Sequence, residues 1–108
     1  GIHVLKFFLH ISKEEQRERF QQRIDDPEKH WKLSYADFAE RNRWDDYQEA
    51  FEDVLNQCST EWAPWHVIPA NRKWFRNYSV ARTIVEKLEE MEPRFPPPTV
   101  DISQIVLL

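Results

Sequence analysis

Six cationic side chains fall within the 25 positions from Arg19 to Arg43. Arg19 and Arg23 stand four residues apart, Lys29 and Lys32 flank Trp31 in DPEKHWKLS, and Arg41 and Arg43 follow closely. Guanidinium forks match pairs of phosphate oxygens and ammonium groups act as point charges, so such a series suits a polyanion held by many weak, salt-sensitive contacts. Spacing alone leaves an equal alternative, in which each is a solvated surface charge or the partner of a nearby acid. For Arg19, with Glu15 and Glu18 at hand, the second reading is preferred. Trp31 either stacks on a base or cation or serves as a hydrophobic peg, the more usual employment of an indole. Asp45 and Asp46 could hold Mg²⁺ indirectly, but acids in a helix's first turn are ordinarily a response to the helix dipole. His3, His10, His30 and His66 lack metal-ligand spacing, and no metal site is predicted.

Composition narrows the field. Gly1 is the single glycine, so the chain contains no glycine-rich phosphate loop and no nucleophile elbow. Net charge is −4. Eight Lys/Arg match eight Asp/Glu over residues 13–43, and residues 44–66 hold six acids and no Lys or Arg. A nucleic-acid coat would carry a basic excess, so no nucleic-acid partner is predicted. Val4 to Ile11 is interrupted by Lys6 and His10 and is too short to span a bilayer; without a secretion signal the protein is expected to be cytoplasmic. Cys58, alone, is read as a small apolar residue in a reducing compartment. An apolar run that starts at once, without a methionine, predicts that a segment precedes it.

These side chains need elements to hold them. IHVLKFFLHI, Ile2 to Ile11, reads as a strand buried on both faces of a parallel sheet. Ser12 and Glu15 form a capping-box pattern, predicting a helix from Lys13 to about Ile24, stopped by Asp25, Asp26 and Pro27. Its apolar stripe is thin, essentially Phe20 and Ile24. Ser34 and Asp37 start a short helix to about Arg41. Trp44, Tyr47, Phe51, Val54, Leu55 and Cys58 then recur at helical spacing and are assigned to the core. Trp65 to Ile68 is a second strand, followed by a helical stripe through Arg72 to Met91 that Pro93 ends. Ile102 to Leu108 is a possible late strand or docking segment.

Three long strings of this chain, LKFFLHISKEEQRERFQQRI, DPEKHWKLSYADFAERNRWDDYQEAFEDVL and CSTEWAPWHVIPANRKWFRN, resemble the C-terminal portion of the family-2 polyphosphate kinases. These are P-loop kinase-like enzymes that move phosphoryl groups between polyphosphate and nucleotides, and the likeness runs to about Pro96. IPANRKWFRNYSVARTIVE is most similar to the subgroup acting on nucleoside monophosphates and diphosphates alike.

The resemblance implies an α/β fold, the C-terminal part of a P-loop kinase-like parallel-sheet domain with an inserted helical lid. Residues 1–11 would be a core strand, 12–63 the lid region, 64–92 a core strand and helix, and 93–108 a proline-rich extended tail. It implies that Arg23, Lys29, Lys32, Arg41 and Arg43 close over polyphosphate and transition-state charge. Asn71 and Arg72 would contact the nucleotide, with a helix cap at Asn71 and a solvated first turn an equal alternative. Implied substrates are inorganic polyphosphate and nucleoside mono-, di- or triphosphates of the AMP/ADP or GDP class, including ATP. Mg²⁺ is the implied cofactor, its ligands and the glycine-rich loop lying upstream, so the chain alone is expected to be inactive. Two strands make an incomplete sheet, which predicts a homo-oligomer. The competing reading is a non-catalytic module gripping a polyanion such as single-stranded RNA.

Overall fold

The computed structural model describes all 108 residues. Strand β1 spans Lys6–His10 and strand β2 spans Trp65–Pro69; they pair in parallel, Lys6 opposite Trp65 and His10 opposite Pro69. The amide of Ala70 extends the ladder by donating to the His10 carbonyl at 2.8 Å. Between the strands runs a helical excursion: α1 (Lys13–Asp25), a 3₁₀ segment (Pro27–Lys32), α2 (Tyr35–Arg41) and α3 (Trp44–Cys58). After β2 comes α4 (Lys73–Met91), which ends as Pro93 requires, with Glu92 in the left-handed region at φ 48°. No helix is long and apolar enough to cross a membrane.

The starts of the helices follow their caps. At α2, Ser34 Oγ accepts from the Ala36 amide and Asp37 Oδ2 accepts from the Ser34 amide, a reciprocal box. At α1 the box is only half made. Ser12 Oγ accepts from the Glu15 amide at 3.1 Å, but the Ser12 amide turns to Asn71 Oδ1 at 2.9 Å while Glu15 pairs with Arg19. DPEKHWKLS is no irregular loop: Asp26 Oδ1 caps Glu28 and Pro27 starts the 3₁₀ turns.

The core is small. Ile68 and Ala70, 5% and 1% exposed, are the only buried residues. α3 packs on the sheet through Phe51 against Phe8, ring centroids 5.0 Å apart. Three expectations need correction here. Trp44 is half-buried, Tyr47 and Phe51 are exposed along one side, and Cys58 is exposed, because two strands cover only part of the α3 stripe. Trp31 is 79% exposed and pegs nothing; Lys32 Nζ lies 5.2 Å from its ring centroid instead. Residues 102–108 form one 3₁₀ turn, Ile102–Gln104, and no strand; the Asp101 carboxylate caps that turn by accepting from the Ser103 amide.

Candidate functional site at the carboxyl ends of the strands

The parallel ladder points both chain turns, residues 11–12 after β1 and 70–72 after β2, to one end of the sheet, where open α/β sheets bind their ligands. The two turns are tied together. Asn71 Oδ1 accepts from the Ser12 amide, and Asn71 Nδ2 donates to Ser12 Oγ at 3.3 Å. From α1, Arg19 Nη2 donates to the Ala70 carbonyl at 2.8 Å and the Asn71 carbonyl at 3.2 Å, while its Nε donates to Glu15 Oε1 at 2.9 Å. Arg72 then opens α4 in an extended conformation without a side-chain cap and without an ion pair. The alternative reading of Asn71 as the helix cap is not met: Arg72 occupies the cap position, and the Asn71 side chain is engaged with Ser12.

The cations of the excursion fall into two groups. Arg41 turns inward: Nη1 donates to the Lys13 carbonyl at 2.8 Å and to Gln16 Oε1 at 2.9 Å, strapping α2 to the first turn of α1. It lines a cleft of about 320 Å³ between β1 and the helices, beside His10, Phe20, Glu40 and Trp44. Lys29, Lys32 and Arg43 face outward, and Arg23 is half-buried. Lys29 pairs with Asp26 at 3.2 Å, Arg43 with Asp46 at 3.3 Å, and Arg23 lies 5.7 Å from the Phe20 ring centroid. The 3₁₀ segment is held against α1 by His30, whose Nε2 contacts the Ile24 carbonyl at 2.7 Å. No hydrogen bond or ion pair joins Lys29 or Lys32 to Asn71 or Arg72.

Two ionisations in this region are shifted. Asp26 is held below its ordinary value by the Lys29 ammonium and the Glu28 amide. Tyr47 is raised because its hydroxyl donates to Glu40, linking α2 to α3. Nowhere do three His, Cys, Asp or Glu side chains converge as a metal site, and Asp46 makes an exposed ion pair with Arg43. No group of three such side chains is available on this chain to enclose a Mg²⁺ ion by itself.

Comparison with known proteins then decides the family. The family model "Polyphosphate kinase 2" matches residues 1–96. The chain belongs to the polyphosphate kinase 2 family. It is 50% identical over 107 residues to an AMP/ADP-polyphosphate phosphotransferase of Meiothermus ruber, covering 99% of this chain and 40% of that protein. An uncharacterised protein of Leptolyngbya boryana is 53% identical over 96 residues, 89% of this chain and 71% of its own. The crystal structure of polyphosphate kinase 2 from Arthrobacter aurescens TC1 superposes with a TM-score of 0.91 at 43% identity, over 95% of this chain and 37% of that one. The chain thus spans about two fifths of the length of the Meiothermus relative.

Proximity in sequence revealed the local half of this cluster: Arg19 with Glu15, four residues apart, and the Ser12 cap. Its long-range half, Arg19 to Ala70 across 51 residues and Asn71 to Ser12 across 59, has no local signature. A polar residue immediately after a strand, facing a capped turn after its neighbour, is the one hint the sequence carries.

Proposed function

We propose that this chain forms the helical lid and nucleotide-side edge of a P-loop kinase that transfers phosphoryl groups between inorganic polyphosphate and AMP or ADP, or GDP. The supporting observation is near-complete coverage of the chain by a relative named AMP/ADP-polyphosphate phosphotransferase, at 50% identity. The geometry is compatible with that work. Lys29, Lys32 and Arg43 stand exposed on the excursion and Arg23 is half-buried beside Phe20, each with only weak local partners to exchange for phosphate oxygens.

In phosphoryl transfer the charge spreads over the equatorial oxygens, and catalysis is largely positioning and electrostatic compensation. A cationic lid closing over polyphosphate supplies charge and excludes water. Arg41, strapped to α1, holds α2 in place and presents its remaining N–H groups to the cleft. Arg72, unpaired at the carboxyl end of β2, meets the nucleotide beside Asn71. Mg²⁺ and the glycine-rich loop come from other parts of the enzyme, and no side chain of this chain acts as a nucleophile.

The test is a segment exchange. Placed in the Meiothermus ruber relative in place of its matching segment, this chain should support Mg²⁺-dependent formation of ADP and ATP from polyphosphate. Lys29→Ala and Lys32→Ala in that enzyme should each lower turnover on the order of tenfold or more, with little change in melting temperature and a shallower salt dependence. Equal turnover with unchanged salt dependence would remove both lysines from the lid. A chimaera that folds yet never uses polyphosphate would sink the functional reading itself.

A further inference from the structure

We propose that Arg19 is a positioning residue for nucleotide binding, acting through Arg72. It grips the turn after β2 from α1 and so fixes the direction in which Arg72 leaves the sheet. The inference rests on the assignment of Arg72 to the nucleotide side.

The turn at residues 70–71 has almost every polar group committed. Ala70 donates its amide to His10 and its carbonyl accepts from Arg19 Nη2; the Asn71 carbonyl accepts from the same nitrogen, and the Asn71 side chain exchanges two bonds with Ser12. Ala70 is 1% exposed, so its carbonyl has little water to turn to if Arg19 is lost. The guanidinium is itself oriented. Its Nε is bound to Glu15 Oε1, and the two side chains are only 19% and 23% exposed, which fixes the plane in which Nη2 meets the carbonyls.

Arg72 is the very next residue; its carbonyl accepts from the Arg76 amide at 3.0 Å as α4 begins, while its side chain makes no cap hydrogen bond and no ion pair. Its backbone course, φ −98° and ψ 114°, runs from the Asn71 peptide that Arg19 grips into the first turn of α4, so the grip sets the side from which Arg72 enters the helix. α1 buries no residue, so Arg19 also supplies much of what registers this helix against the sheet end. A lysine cannot replace it, since one ammonium lacks the fork that serves Glu15 and two carbonyls in a fixed plane. Three of Arg19's five N–H donors serve this scaffold, which separates its role from that of a phosphate ligand.

The experiment uses the Meiothermus chimaera that carries the whole chain. Arg19→Met and Arg19→Lys should both raise the KM for AMP and ADP about tenfold, leave the KM for polyphosphate unchanged and alter kcat by less than about twofold. The double variant Arg19→Met/Arg72→Ala should bind nucleotide no worse than Arg72→Ala alone. Rescue by lysine, additive losses in the double variant, or equal losses for both substrates would overturn the proposal. Hydrogen exchange supplies a readout that needs no activity: Arg19→Met should speed exchange at the Ser12 and Ala70 amides and at the first amides of α4. Unchanged exchange there overturns the proposal whatever the kinetics. If the unmodified chimaera does not use polyphosphate, the functional reading fails, and the exchange data still decide whether Arg19 holds the turn.

Discussion

Asp26 does two things with one carboxylate: Oδ1 caps the Glu28 amide at 3.0 Å and Oδ2 meets Lys29 Nζ at 3.2 Å. Both favour the charged form, Lys29 most, and its pKa lies below the ordinary 3.8. A depressed carboxylate contributes stability that is present above its unfolded value and is lost as pH falls through the folded one. The 3₁₀ segment Pro27–Lys32 should therefore hold its structure at neutral pH and loosen only below about pH 3.8. The Trp31 indole signal, followed by NMR from pH 7 to 2 in the Meiothermus chimaera with and without Asp26→Asn, checks this. The parent should change below pH 3.8 and the variant should show no such step; a parent midpoint above 3.8 would refute the assignment. At this scale the sequence was half legible. The pairing of Arg19 with Glu15 followed from spacing, whereas the exposure of Trp31 did not, because indole burial is a statistical habit that depends on what a neighbouring surface offers.

Helix α2 shows what is legible at the scale of elements. Seven residues, Tyr35–Arg41, are too few to be helical on propensity alone, and the reciprocal cap between Ser34 and Asp37 marks where they start. Its far end is secured by tertiary bonds instead: Arg41 to Lys13 and Gln16, and Glu40 to Tyr47. Ser34→Ala should cost about 1 kcal/mol of local stability, the usual worth of such a cap. The expected sign is faster hydrogen exchange at Asp37 to Glu40 with little change in α3; exchange that rises equally in α3 would mean that α2 does not open on its own. The order strand, helices, strand, helix was readable because each element carries its own period and stop, from SKEE to the prolines around β2. The half-made box at Ser12 was not, since the Asn71 amide that displaces its second half arrives from the other strand.

At the scale of the molecule, the radius of gyration is 22.0 Å, against about 13 Å for a compact chain of this length. Much of the difference is the extended stretch after α4, but the α/β part itself has only two buried residues. A two-stranded parallel sheet is not independently stable, and here it leaves the stripes of α3 and α4 only partly covered: Tyr47 and Val54 on one, Trp74, Ile84 and Leu88 on the other. Apolar surface of that kind drives association, since covering it removes it from water. The 108-residue chain by itself should therefore bind a hydrophobic dye, melt without a sharp transition and form larger species in sedimentation velocity as concentration rises through tens of micromolar, roughly the range in which exposed apolar surface aggregates. The same residues inside the Meiothermus chimaera should lose the dye signal and gain a cooperative melt, because the remaining three fifths of that protein can cover the stripes. A monomeric, dye-free chain with a sharp melt would show that two buried residues and the polar ties at the strand ends suffice to hold this fold, and that the partly covered stripes need no further protein.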